Sequence, residues 1–357
     1  MVSTRLSELS TQQGYTEMPH TDKRLTLYLI DGSAYIYRAF FALPPLSNSK
    51  GFQTNAVYGF TTMLLKIMRE HRPDALAVVF DEKGPTQRHE EYQAYKAQRP
   101  AMPDAMSAQV PYIHRIVEAL AIPALRLAGY EADDIIGTLA RKAEQADRDV
   151  AIVTSDKDMF QLLTPHVKIY DPVKDKWIGE QECRERFGVE PVLVPEIMGL
   201  MGDAIDNIPG VKGIGEKTAT KLIGQFRTIE ELLRRVEEVT PARTKTMLIE
   251  QADNARLSRR LAMIQTDCPV EFEIGALQIK PAHDDRLAEL LRELEFTTLL
   301  KSIQPTSPQA SIHQASVETI ESEAAAQAFV ARLNKSRTIA VQCLLSGPPG
   351  VRADVQG

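Results

Sequence analysis

The 357-residue chain contains 3 cysteines and 1 tryptophan, and it is short of several other things that would announce a class. Cys183, Cys268 and Cys343 are odd in number, far apart and without a C-x-x-C pair. That pattern argues against a disulfide scaffold or a zinc knuckle and fits a reducing cytoplasm. No stretch approaches the roughly 20 apolar residues that span a bilayer. Residues 1–24 lack the apolar centre of a secretory signal and are expected to form a flexible tail. Charge of one sign is not in excess either. A formal net charge of −6 gives no whole-molecule signature of a polyanion binder, so such a role must come from local patches. What remains is ordinary globular composition, 43% hydrophobic and 25% charged, in a length that allows about two domains.

Apolar runs at 25–30, 75–80, 124–127 and 149–154 read as strands, and helical patterns lie between them, over 111–120 and 134–143 among others. Strands alternating with helices predict βαβ units and a mostly parallel sheet. After about residue 190 the pattern changes to short helices with glycine turns, running to about Lys301. Residues 303–316 are a polar Pro/Ser/Gln linker. Beyond it, 317–357 offers one helix (317–333) and one strand (338–341), too little to bury a core alone.

Three of the strands deliver an acid at or just past their C-terminal ends: Asp31, Asp81 and Asp156. In open α/β sheets that edge is where ligands bind. Around them stand Glu131, Asp133 and Asp134 of G-Y-E-A-D-D, Asp158 of D-K-D, and Asp203 and Asp206 of G-D-A-I-D-N. Glu131 and Asp134, at i and i+3, are expected to share one face of the helix they open. A single Asp after a strand is most often a helix cap. Nine acids converging would repel one another unless cations neutralised them, and hard oxygen donors without His or Cys select Mg²⁺ or Mn²⁺. Two such ions support hydrolysis at phosphorus.

The run I-P-G-V-K-G-I-G-E-K-T-A-T-K-L-I (208–223) is not a P-loop, because Glu216 follows Gly215 where a Walker A motif needs lysine. It reads instead as a tight turn between helices. Gly210, Gly213 and Gly215 free the backbone, the helix N-terminus at Glu216 faces a phosphate, and Lys212, Lys217 and Lys221 add charge. A helix–hairpin–helix of this kind binds duplex backbone without reading bases. The alternative is a glycine-rich cap with solvated lysines.

Residues 82–110 form an unusually long connection. Within it Arg88, Tyr92, Tyr95, Lys96 and Arg99 interleave base-stacking and phosphate-pairing groups, as a single-strand channel requires. Tyr92, Tyr95, Lys96 and Arg99 fall at helical spacing, and Glu82, Glu90 and Glu91 leave a plain solvated amphipathic helix as the alternative.

Taken in order, D-G-S-A-Y-I-Y-R-A-F (31–40), N-A-V-Y-G-F (55–60), V-V-F-D (78–81), R-H-E-E-Y-Q-A-Y-K-A-Q-R (88–99), G-Y-E-A-D-D (129–134), T-S-D-K-D-M-F-Q-L-L (154–163) and the run 202–219 resemble the 5′-nuclease domain of bacterial DNA polymerase I, a relative of flap endonucleases. The resemblance covers about 25–301. It implies a PIN-like nuclease domain over 25–190 with a helical arch (about 82–110), and a helix–hairpin–helix subdomain over 191–302. It also implies Mg²⁺-dependent cutting of 5′ flaps and 5′ ends in flapped, nicked or branched DNA, RNA-primer 5′ ends among them, and the chain is expected to be a monomer. On this resemblance Asp31, Asp81, Glu131 and Asp133 hold a first metal with Asp134 beside them, and Asp156, Asp158, Asp203 and Asp206 a second. Lys96 contacts the scissile phosphate with Arg99 next to it. Tyr35 and Arg38 meet substrate, and Gly210, Lys212, Gly213, Gly215, Lys217 and Thr218 bind duplex, with K⁺ at the glycine turn. Gln98 stands where asparagine is more usual. A 3′-exonuclease-like domain would follow, but Gln342 and Cys343 replace its acid pair, so no proofreading is expected from that stub. Two other readings compete: a non-catalytic DNA-binding module, which intact acids count against, and a PIN-type ribonuclease, which the hairpin counts against.

Overall fold

The computed structural model describes residues 25–270 and 273–303, with short stretches at 322–323, 327, 329–330, 345–346 and 354–355. The expected N-terminal tail, almost all of the linker, and most of the helix and strand expected over 317–341 lie outside the described residues.

The four apolar runs form Thr26–Asp31 (β1), Ala75–Val79 (β2), Ala124–Leu125 (β3) and Asp149–Val153 (β4), and the structure adds Val167–Asp171 (β5) and Lys176–Ile178 (β6). The sheet order is β3-β2-β1-β4-β5-β6, parallel throughout except for β6. The helices, in chain order, are Gly32–Ala42 (α1), Asn55–Glu70 (α2), Gln87–Glu91 (α3), Asp104–Ser107 (α4), Val110–Ala119 (α5), Ala132–Gln145 (α6), Glu180–Phe187 (α7), Val194–Met201 (α8), Glu216–Phe226 (α9), Ile229–Arg234 (α10), Ala242–Glu250 (α11), Ala252–Ala262 (α12), Asp284–Glu293 (α13) and Thr297–Ile303 (α14).

The central strands β1, β2 and β4 read as nearly unbroken apolar runs because both faces of the sheet are covered there. Successive side chains of β1 go to opposite sides. Leu27 and Leu29 enter a core shared with Ile136 and Leu139 of α6, Ile197 of α8, Ile223 of α9 and Leu261 of α12. Tyr28 and Ile30 enter a second core with Ile36 of α1, Leu64 of α2, Ile116 of α5 and Leu291 of α13. The C-terminal helices therefore have no core of their own. They divide between the two faces of the N-terminal sheet, and the described residues from Leu25 through Ile303 form one compact unit despite the change of sequence character near 190. Leu29 is fully buried at the centre, and Leu29→Ala should cost about 2–5 kcal/mol.

Candidate active site

β1 lies mid-sheet between β2 and β4, so the ends of these three strands place Asp31, Asp81 and Asp156 along one edge. Asp31 N-caps α1: Oδ1 accepts from the Ala34 amide at 3.0 Å, and Oδ2 accepts from Thr154 Oγ1 at 2.9 Å. Asp81 receives the Ala132 amide at 2.9 Å, joining the end of β2 to the first turn of α6. Glu131 is the N-cap of α6, and Asp133 and Asp134 lie in its first turn, where acids suit the helix dipole. The loop Asp203–Ile208 is closed by reciprocal backbone bonds of 3.0 and 2.7 Å, and Asp203 Oδ1 accepts from the Ile205 amide at 2.7 Å. That closure needs glycine at both flanks. Gly202 (φ 71°) and Gly210 (φ 61°) approach so closely that a Cβ on either would sit 2.5 Å from backbone of the opposite strand.

Mutual repulsion ties the acids into one electrostatic unit. Burial first, then Asp156 and Asp81, push the Asp31 carboxyl up to about 7, against the pull of its hydrogen bonds. Burial, Asp156 and Asp31 raise Asp133 well above its ordinary range. Burial and Asp206 raise Asp156. Burial and Asp156, with Asp203 and Asp206 behind, raise Asp158. Asp156 is thus felt by both halves of the set. Asp203 goes the other way: burial is outweighed by Lys157 Nζ at 2.7 Å and two amides, and its carboxyl lies below the usual range.

Among the described residues no three of these carboxylates stand at ligand spacing around one point. Cations meet them instead: Lys96 Nζ on Glu131 Oε1 at 2.7 Å, Arg99 Nη2 on Asp206 Oδ1 at 2.5 Å, and Lys157 on Asp203. The donor set nevertheless fits a hard divalent ion. It is all oxygen, its carboxyls are held in costly proximity, and Asp158 Oδ1 is a buried oxygen with no hydrogen-bond partner. Asp134 stands beside Glu131 but faces the other way from the acid edge, toward Arg88. Oδ1 accepts from Arg88 and the Gln265 amide, and Oδ2 from Arg88 and the Glu131 amide. Both oxygens are thus taken by a buried guanidinium of the chain itself and by backbone amides, and Asp134 completes the capping box of α6.

The basic segment also differs from its helical reading. Over residues 83–100 only α3 is helical; Tyr92 caps it, and turns follow through Gln98. Lys96 has φ 56°, outside helical geometry, and its amide donates to the Asp206 carbonyl at 2.9 Å. The turn thereby sets Lys96 and Arg99 against the acids. Arg88 and Tyr95 are buried, Arg88 on Asp134 and Tyr95 Oη donating to Glu131 Oε2 at 3.1 Å, so neither is presented to a base or phosphate. Tyr92 is half-buried against the core that includes α6. Tyr35 is likewise buried, edge-on to Phe60, with its phenol pushed up to about 12 by burial. Arg38 pairs with buried Asp171 at 3.5 Å. Both line a cavity of about 300 Å³ with Tyr58, Met63 and Lys66.

The glycine turn forms as read. Gly215 N-caps α9, the Thr218 amide donates to its carbonyl at 3.0 Å, Gly213 has φ 98°, and Lys212, Lys217 and Lys221 are exposed. Sequence reasoning missed Lys157 and Thr154. Lys157 was visible only as the middle of D-K-D, and Thr154 only as the residue after a strand. It also missed Ser33, whose Oγ accepts the Asp81 amide at 2.8 Å.

Residues 26–188 match a family model described as the 5′-3′ exonuclease N-terminal resolvase-like domain, and residues 189–285 one described as the 5′-3′ exonuclease C-terminal SAM fold. The chain is 43% identical over 289 residues to a DNA polymerase I of Bacillus caldotenax, a match covering 79% of this chain and 33% of that one. It therefore spans about a third of the length of that relative. Against a 5′-3′ exonuclease of Aquifex aeolicus (strain VF5) it is 40% identical over 286 residues, covering 80% of this chain and 98% of the relative. Its fold is similar to that of a T5 5′-exonuclease with bound divalent metal ions (zinc), at a TM-score of 0.59 and 20% identity, covering 76% of this chain and 98% of that one. With both halves matched in order and a relative matched over nearly its whole length, the chain belongs to the 5′-3′ exonuclease family.

Proposed function

We propose that the chain is a structure-specific 5′ nuclease that hydrolyses phosphodiester bonds of 5′ flaps and 5′ ends in DNA with divalent metal, removing displaced strands during replication and repair. The observation that carries this reading is the meeting of the all-oxygen acid edge with Lys96 and Arg99. A pure DNA-binding module gains nothing from a cluster of carboxylates beside phosphate, since like charges repel. Asp31, Asp81, Glu131 and Asp133 would hold one Mg²⁺, and Asp156, Asp158, Asp203 and Asp206 a second, some of them through water. When bound, these ions supply Lewis-acid activation of water and neutralise charge at phosphorus.

The chain's own groups do the rest. The exposed Lys212 and Lys217, with the amides at the start of α9, hold duplex backbone, and a K⁺ ion at Gly210–Gly215 belongs to the same proposal. Lys96 exchanges Glu131 for the phosphate, leaving the carboxylate to the metal. A cation so placed stabilises charge that develops on the phosphate oxygens. Arg99, half-exposed at the rim, supports it. Lys157 keeps Asp203 ionised. The protein acts as a monomer on flapped, nicked or branched duplex in the cytoplasm.

The test is a labelled 5′-flap duplex incubated with Mg²⁺, Mn²⁺ or EDTA, beside a single strand and an RNA–DNA hybrid. Cleavage at the flap junction with either metal and none in EDTA is expected. Cleavage that survives EDTA overturns the metal reading; metal-independent binding without cleavage returns the chain to a binding module.

A further inference from the structure

Arg88 belongs to neither the acids nor the phosphate-facing cations, yet its guanidinium is fully engaged. It is 6% exposed. Nε donates to the Leu261 carbonyl at 2.9 Å. Nη1 donates to Asp134 Oδ2 at 2.6 Å and Glu131 Oε2 at 3.3 Å, and Nη2 to Asp134 Oδ1 at 2.7 Å and the Met263 carbonyl at 2.8 Å. The acceptors come from two places distant in sequence, the first turn of α6 and the end of α12. The Gln265 amide donates to the same Asp134 oxygen at 2.9 Å, and Gln265 Nε2 reaches Gln87 beside Arg88 at 2.9 Å. A bidentate arginine–carboxylate pair fixes direction as well as distance. Here it orients the helix turn whose N-cap is Glu131.

We propose that Arg88 is a positioning residue for the acid site. It holds the Glu131 carboxylate in orientation and locks α3 and the first turn of α6 to the end of α12, so that Glu131 stays aimed when Lys96 leaves it for a phosphate. This rests on the reading that the acid edge takes a divalent cation. Glu131 then keeps two donors, Arg88 and Tyr95 Oη, that no substrate displaces. Partners of this kind behind a ligand usually matter as much as a weak ligand does.

The test uses the full chain with Arg88→Lys and Asp134→Asn, singly and together. Mn²⁺ affinity is measured by calorimetry, flap-duplex affinity in EDTA over a range of salt, and thermal melting without metal. Each single variant should lose about 10–100-fold in Mn²⁺ affinity. The double variant should lose less than the product of the two, because they break one pair. Duplex affinity in EDTA and its salt slope should match the parent. Unchanged Mn²⁺ affinity in variants of a parent that binds Mn²⁺ overturns the positioning role alone, even if melting falls. Weaker duplex binding with a flatter salt slope and unchanged Mn²⁺ affinity also overturns it and makes Arg88 a phosphate contact. A parent that binds no Mn²⁺ overturns the acid-site reading itself. If Arg88→Lys melts too low to titrate, Asp134→Asn, which keeps the shape and weakens the same pair, decides the matter.

Discussion

The acid edge and the glycine hairpin are both built from loops at the ends of regular elements, but they are assembled in different ways. The hairpin comes from one continuous stretch, turns at Gly213 (φ 98°), and sets its lysines outward. The acid edge is gathered from the ends of three strands, the first turn of a helix and a loop after α8, and its charges repel. Of its counter-charges, Lys96 and Arg99 come from another segment and Lys157 stands between Asp156 and Asp158. A local device depends on its own backbone, so a substitution there should act on one property. A convergent device shares its electrostatics, so one substitution should move chemistry, binding and stability together, and in different directions.

The sharpest way to break that contrast is Asp156→Asn. Asp156 raises Asp31, Asp133 and Asp158 at once, so removing its charge should nearly abolish flap cleavage while relieving the others. Flap affinity in EDTA should hold or rise, and the metal-free melting temperature should rise. Cleavage at the parental rate would remove Asp156 from the site, and loss of folding would make it structural.

Lys96→Ala should come next. The loss of a cation that stabilises developing charge costs about 10²–10³ in single-turnover rate, and flap affinity should fall far less. An unchanged single-turnover rate would mean that the contact with Glu131 is all that Lys96 contributes.

The hairpin should give a smaller and simpler effect. Lys212→Ala with Lys217→Ala should weaken binding to every duplex sequence alike and flatten the salt dependence by roughly one unit of slope per lost phosphate contact. The single-turnover rate at saturating enzyme should hold. Unchanged affinity and slope would reduce the motif to a helix cap.

The smallest effect concerns pH. Asp31 titrates at about 7 in the folded chain against an ordinary 3.8, so folding takes up a proton between these values. The stability tied to that proton is fully present below about 4 and is lost as pH rises through about 7. A divalent ion replaces the proton's role, so the rise in melting temperature on adding Mg²⁺ should be larger at pH 8 than at pH 6. Equal increments at the two values would mean that the acids do not share the ion.

Some of this was legible in the residues alone. The parallel sheet was, because strands covered on both faces must be apolar nearly throughout, as L-T-L-Y-L-I and A-L-A-V-V-F are. Acids at strand ends were legible because chain order fixes which end of a parallel strand they occupy. The hairpin was legible because its glycines and lysines lie within one short run. The roles inside the basic segment were decided only by the tertiary structure. Arg88, Lys96 and Arg99 carry the same charge in one short run with Tyr95 among them, but the fold buries Arg88 and Tyr95 behind Glu131 and sets Lys96 and Arg99 against the acids. Asp134 likewise differs from Asp133 by one position, yet on a helix one residue turns a side chain by about 100°, enough to give it to Arg88 instead of the cluster. Sequence order determines which groups lie near along the chain; which of them share water, and which are sealed together away from it, depends on contacts between segments that only packing brings together.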